Sequence, residues 1–190
     1  MEFGRVANLF GLTALKPFQV QAIQSVINKK DTFVFLPTGA GKTICFQIPP
    51  VYLSLPGRPK AAVIISPLLS LIQQQTTRLI ALNFKACCIT AETKKEILPT
   101  LQNGGYNFIY LTPEQADSSD VIKALHGIKE SVCLFVIDEA HCVVQASDLY
   151  RPEYMKLGHL KSKLEAPVMV LTATQLRLFA FKLRSIYRWK

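Results

Sequence analysis

Residues Thr32–Pro49 read TFVFLPTGAGKTICFQIP: an apolar run of strand type, a glycine-bearing loop ending in Lys-Thr, and a helical segment. A triphosphate needs closely spaced backbone N–H groups, a cation and a hydroxyl for a metal. Gly39 and Gly41 permit the backbone curvature that aims such amides inward. On this reading Pro37, Thr38, Gly39, Ala40 and Gly41 wrap the phosphates of ATP, Lys42 holds the β- and γ-phosphates, and Thr43 ligates Mg²⁺ at the positive end of a helix dipole. The full pattern G-x-x-x-x-G-K-[ST] asks for glycine at position 36, where this chain has Leu36. The competing reading is a plain glycine turn between a strand and a helix. Gly-Lys-Thr directly behind Phe33–Leu36 makes it the weaker one.

The 190 residues suffice for one domain with a sizeable core, and two full domains would be cramped. Lys and Arg number 22 against 13 Asp and Glu, a net charge of +9 that favours polyanionic partners without naming one. No apolar run reaches membrane-spanning length and the N-terminus lacks a signal-peptide pattern, so an intracellular soluble protein with no membrane partner is expected. The five cysteines, Cys45, Cys87, Cys88, Cys133 and Cys142, form no C-x-x-C pair, so neither a zinc knuckle nor a disulfide framework follows.

Outward from the loop, Arg5–Phe10 reads as a short helix closed at Gly11, and Pro17 opens a second helix with Val20, Ile23 and Ile27 on one face. Pro49-Pro50 and Leu55–Pro59 read as turns. Ala61–Ile65 is a continuous apolar run of the kind buried in a parallel sheet, and Ser66-Pro67 reads as an N-cap and first residue of a helix over Leu68–Leu82. Further strands are expected at Ala86–Ile89, Phe108–Leu111, Val132–Ile137 and Val168–Leu171, with helical patterns between most of them. This alternation predicts an α/β domain, a mostly parallel central sheet with helices on both faces.

The run Leu134–Ile137 delivers two carboxylates, Asp138 and Glu139, at the carboxyl end of a strand, where open α/β sheets bind ligands. Asp138 can complete the Mg²⁺ shell opposite Thr43, and Glu139 can orient and deprotonate the water that attacks the γ-phosphate.

With PTGAGKT, the tetrad Asp138-Glu139-Ala140-His141 and the later Thr172-Ala173-Thr174, the chain resembles superfamily 2 helicases at motifs I, II and III. Leu9-Phe10-Gly11 with Leu15–Gln19 is similar to motif 0 of the RecQ family, whose phosphate loop does not require glycine at position 36. Ile65–Leu71 with Gln75 is similar to motif Ia, Tyr110–Glu114 to motif Ib, and Cys142–Tyr154 to the family's aromatic-rich loop. The resemblance implies a RecA-like P-loop domain over residues 31–174, preceded by a helical segment with motif 0 over 1–30. It places Gln19 on the adenine edge and Lys16 where the family carries arginine. His141 and Thr172–Thr174 would relay nucleotide state, and Ser66, Thr112, Tyr150 and Arg151 would meet single-stranded or partially duplex DNA. For Ser66 a plain N-cap role stands equally. A nuclear role in recombination and repair follows if the source is eukaryotic.

Against the family pattern, Ala146, Ser147, Asp148 and Leu149 replace Trp, Gly, His and Asp. Losing one base–aromatic stack costs about 1–3 kcal/mol. In the family a second RecA-like domain brings an arginine finger worth roughly 10³–10⁵ in rate, so this chain without one, or without a full-length helicase as partner, is expected to hydrolyse ATP poorly. Residues 175–190, QLRLFAFKLRSIYRWK, leave the pattern altogether and read as a replacement C-terminus, the product of alternative splicing or of a truncated gene model, rather than a nucleic-acid contact.

Overall fold

The fold is known from a computed structural model that describes residues 3–140 and 152–173. Six strands, β1 (Thr32–Phe35), β2 (Ala61–Ile65), β3 (Ala86–Ile89), β4 (Phe108–Leu111), β5 (Val132–Ile137) and β6 (Val168–Thr172), form one sheet in the order β1-β6-β5-β2-β4-β3. Every strand pairing is parallel. The expected α/β architecture is therefore the observed one.

Successive side chains of a strand point to opposite faces, and here both faces are covered. One face is packed by α1 (Gly4–Leu9), α2 (Pro17–Ile27), α3 (Thr43–Tyr52) and α4 (Leu69–Ala81), against Ala62, Ile64, Phe108, Tyr110, Val136 and Leu171. The other is packed by α5 (Lys94–Gln102), α6 (Pro113–Ala116), α7 (Ser119–Gly127) and α8 (Pro152–Leu164), against Val63, Ile65, Ile109, Leu111, Phe135 and Val170. Continuous apolar runs such as AAVII are what a strand covered on both sides requires. Burial also pushes the Cys45 and Cys133 thiols up to about 12, so both pack as apolar groups. Among the described residues no helix is long and apolar enough to cross a membrane.

Local rules misplace three features. Pro49 and Pro50 do not turn the chain: they lie inside α3, fully enclosed, where burial of their rings offsets two missing helical N–H donors. Ser66 is not an N-cap: the chain bends at Pro67 and Leu68 caps α4, while the Ser66 N–H donates to the Leu111 carbonyl (3.1 Å). On α2 the buried stripe is Gln19, Ala22, Ile23 and Val26, rotated from the expected Val20, Ile23 and Ile27. The rotation is possible because the Gln19 amide is hydrogen-bonded at both ends. Pro152 to Tyr154, read above as the end of the aromatic loop, instead open α8, with proline at the first helical position. Cys142–Arg151 and residues 174–190 lie outside the described residues.

Candidate active site

The phosphate loop leaves the carboxyl end of β1, the edge strand, and Asp138 follows β5 two strands away. Between them ends β6. The Leu36 N–H donates to the Thr172 carbonyl (3.1 Å) and the Ala140 N–H to the Leu171 carbonyl (3.0 Å), so Thr172 is wedged, fully buried, between the two halves of the site.

Gly39 and Gly41 both adopt left-handed backbone, with φ of +81° and +93°. The loop so formed closes on Lys42, whose ammonium donates to the carbonyls of Leu36 (2.7 Å) and Pro37 (3.1 Å). The cation is thereby held over the loop, with its side chain mostly enclosed, and Thr43 starts the helix immediately behind it.

Two residues of α2's start brace the same loop. The Gln19 amide accepts from the Lys16 N–H (2.8 Å) and donates to the Gly41 carbonyl (2.9 Å), while the Lys16 ammonium donates to the Ala40 carbonyl (3.0 Å). Gln19, only 5% exposed, is both a wall of the cleft and a strut for its floor.

Asp138 is held by its own N–H to the Ile65 carbonyl (2.8 Å), and its Oδ1 accepts from the Glu139 N–H (3.0 Å). Burial, and then the neighbouring Glu139 charge, push the Asp138 carboxyl up to about 6; the Glu139 N–H bond and the Lys42 ammonium pull the other way. Glu139 sits at φ +47°, an uncommon left-handed conformation for a residue with a side chain. Strain of this kind, held by the surrounding fold, is a frequent property of working sites.

Lys42, Thr43, Asp138 and Glu139 line one cleft of about 330 Å³, together with Gln19, Thr38, Gly39 and Gly41. A cation, a helix N-terminus and two carboxylates around an open cleft can hold a polyphosphate and activate water beside it.

The profile of the DEAD/DEAH box helicases matches residues 16–178. The chain belongs to this family. Family membership implies the use of ATP. Over 171 residues the chain is 38% identical to the probable ATP-dependent DNA helicase RecS of Bacillus subtilis, covering 87% of this chain and 33% of that protein. It is 34% identical over 172 residues to the ATP-dependent DNA helicase RecQ of Haemophilus influenzae, covering 88% of this chain and 27% of that one. The chain thus spans about a third or less of the length of these curated relatives. The crystal structure of the DUF1998 helicase MrfA bound to DNA and AMPPNP shares the fold, with a TM-score of 0.79 over 99% of this chain and 28% of that one at 18% identity.

Not all the expected residues of this helicase domain meet in the cleft. Thr112 precedes α6 at the same edge of the sheet but does not line the cleft, and the Ser66 hydroxyl is sealed from solvent with no hydrogen-bond partner among the described residues. His141, Tyr150, Arg151 and Thr174 fall outside the described residues. Conversely, the cleft runs on between α3 and α4, where Gln47, Leu71, Gln75 and Arg78 line it, with Phe10 and Leu12 beyond. The available signal was helical spacing: Gln47 lies one turn after Thr43, and Leu71, Gln75 and Arg78 share a stripe.

Proposed function

We propose that this chain is the ATP-binding half of a RecQ-like 3′ to 5′ DNA helicase that binds Mg·ATP and single-stranded or partially duplex DNA. The observation that supports it most is the convergence of Lys42, Thr43, Asp138 and Glu139 on one cleft in a chain of an ATP-using helicase family. In this reading Lys42 exchanges the Leu36 and Pro37 carbonyls for phosphate oxygens, while the loop amides and the dipole of α3 take up the remaining negative charge.

The donor set fits Mg²⁺. Thr43 and Asp138 offer hard oxygens on one cleft, and a metal that shares its ligands with phosphates needs only one or two from the protein. When bound, the metal neutralises charge on the β- and γ-phosphate oxygens. Glu139 orients the attacking water and takes its proton. His141 and the Thr172–Thr174 strip carry nucleotide state toward DNA, which Thr112, Tyr150 and Arg151 contact, while Ser66, its hydroxyl sealed from solvent, stays behind that surface.

The proposed division is a helical segment with motif 0 at 1–30, a RecA-like domain at 31–174 and a divergent tail at 175–190. In this reading an arginine finger from a second RecA-like domain or from a full-length helicase completes the site, worth roughly 10³–10⁵ in rate. Action in recombination and repair, in the nucleus of a eukaryotic source, belongs to the same reading. A second reading, a regulatory module that binds nucleotide and competes with a longer helicase, is favoured by Ala146 at the family's tryptophan position.

The test is titration of the purified chain with a fluorescent ATP analogue, followed by ATP turnover with and without single-stranded DNA. The expected result is binding by the unaltered chain with slow turnover, loss of binding in Lys42→Ala, and binding without turnover in Glu139→Gln. Failure of the unaltered chain to bind nucleotide overturns the proposal, and robust strand separation by the monomer overturns its half-motor part. DNA-stimulated turnover rules out the regulatory module.

A further inference from the structure

Because every strand pairing is parallel, the amino ends of all six strands lie at one end of the molecule, a strand's length of about 13–20 Å from the cleft. The connections 28–31, 53–60, 82–85, 103–107, 128–131 and 165–167 run into that end. They carry Lys29, Lys30, Arg58, Lys60, Lys85 and Lys129 against Asp31, Glu130 and Glu165, and the last turn of α8 adds Lys161 and Lys163. At the cleft end the balance is reversed. Among the described residues, the connections that lead from a strand to the next helix hold Lys42 against Glu92, Asp138 and Glu139. The loops of the amino end are basic, then, and those of the cleft end acidic.

The sheet order lays these cations out as a row. Lys29 and Lys30 stand before β1, Lys161 and Lys163 before β6, Lys129 before β5, Arg58 and Lys60 before β2, and Lys85 before β3. Five strand spacings carry the row from one edge of the sheet to the other, about 24 Å. Three of its members are pinned: Lys60 Nζ donates to the Glu130 carbonyl (2.7 Å), Lys129 pairs with Glu165 (3.2 Å) and Lys161 with Asp31 (3.4 Å). The other five, Lys29, Lys30, Arg58, Lys85 and Lys163, are exposed. Helix dipoles do not account for the row. α2, α3 and α5 end here with no basic residue in their last turns, and a dipole's pull on charge fades beyond the last turn.

We propose that this row is a second nucleic-acid surface, one that takes the phosphate backbone of duplex DNA at the end of the sheet opposite the cleft. A duplex carries one negative charge per about 1.7 Å of its axis, so a row of this length meets several phosphates at once, as no small anion can. All the cations but Arg58 are lysines, flexible point charges suited to phosphates rather than planar forks that read base edges, so binding is independent of sequence. Single strands are held by bases stacking on aromatic rings, and among the described residues none of the exposed large apolar side chains is aromatic. The surface does not rest on the ATP reading, and it binds without nucleotide.

The test is fluorescence anisotropy of the full chain with a labelled DNA duplex of about 20 base pairs, without nucleotide, in salt from about 50 to 200 mM. Two variants each lose two exposed cations, so their net charges match. Lys30→Gln/Lys85→Gln takes one from each end of the row, and Lys95→Gln/Lys123→Gln takes one each from α5 and α7. The slope of log affinity against log salt is expected to shrink by about 2 in the first variant and to stay within about 0.5 of the unaltered value in the second. Two duplexes of unrelated sequence should give the same slope, and denaturant midpoints should agree for all three proteins, since the altered positions are exposed. Equal slopes in the two variants, or no duplex binding by the unaltered chain, overturns the row as a binding surface. Displacement of the duplex by poly-glutamate as readily as by unlabelled duplex of equal charge makes an acidic protein the occupant and overturns the nucleic-acid assignment.

Discussion

At the residue scale, Asp138 pits function against stability. Its carboxylate must be ionised to hold a metal, yet it is 7% exposed beside Glu139, and its pKa is raised from 3.8 to about 6. The folded protein therefore holds this proton more tightly than the unfolded chain does, and stability falls as pH rises between about 4 and about 6, staying reduced above that window. Asp138→Asn removes the penalty while keeping an oxygen to accept from the Glu139 N–H. In metal-free, nucleotide-free buffer at pH 8 the variant is expected to be more stable by about 1–3 kcal/mol, and the difference should vanish near pH 4. Adding Mg·ATP should reverse the order, since only the unaltered chain gains ligand stabilisation. Denaturant unfolding at pH 4, 6 and 8 measures this, and a variant no more stable at pH 8 than at pH 4 relative to the unaltered chain sinks it. Lys42 shows the complementary logic: without nucleotide its cation is spent on the Leu36 and Pro37 carbonyls, so the loop is held in shape before the ligand arrives.

At the scale of elements, the phosphate loop works because α2 braces it. A Cβ on Gly41 would stand 2.9 Å from the Gln19 Nε2, and the backbone there is at φ +93°, a conformation that L residues rarely adopt. The nearest atom ends a flexible side chain, but that side chain is fastened at both ends and cannot retreat. Gly41→Ala is expected to weaken nucleotide binding by about tenfold or more, corresponding to strain of about 1.4 kcal/mol or above. In Gln19→Ala/Gly41→Ala the clash is gone while the backbone strain stays, so the double variant should bind better than the sum of the two single losses predicts. Equal and additive losses in a fluorescent-nucleotide titration would show that the brace does not act on the loop. This brace also marks the limit of what sequence can tell. Strands β2 to β5 were legible to the residue because a strand covered on both faces is a bare apolar run; Asp138 was legible because it directly follows such a run, and Lys42 because Gly-Lys-Thr closes a glycine-bearing loop behind one. Pro49 and Pro50 were not, because burial overrode a local rule about proline, and Ser66 was not, because the chain's path past β2 is set by tertiary pairing with Leu111. Gln47 and Arg78 gained a place in the cleft only once the sheet set α3 and α4 on the same face, a placement that no local pattern contains.

At the scale of the whole molecule, the weak point is the edge strand. β1 carries the phosphate loop, has four residues and, among the described residues, pairs only with β6, from which the chain separates it by more than a hundred residues. Closing so long a loop costs conformational entropy that four ladder positions repay poorly. Asp31, the residue before β1, reinforces the joint from the end of the sheet opposite the cleft. Its Oδ1 accepts from the Val168 N–H at the start of β6 (2.8 Å), and its Oδ2 pairs with the Lys161 ammonium in the last turn of α8 (3.4 Å). Both side chains are mostly shielded, at 14% and 16% exposure, so the pair is worth more than a surface ion pair. Asp31→Ala is expected to cost about 1–3 kcal/mol, from one unmade backbone donor and one lost ion pair. Asp31→Asn keeps an acceptor for Val168 and loses the charge, and should cost about half as much. Because the clamp sits a strand's length from the loop, nucleotide affinity measured well below the unfolding transition should stay within about twofold in both variants, short of the tenfold change that 1.4 kcal/mol brings. Denaturant unfolding and nucleotide titration of the same preparations decide the matter. A large affinity loss with unchanged stability would mean that Asp31 shapes the site through β1, while equal, small stability losses in both variants would mean that the sheet holds its edge strand without the clamp.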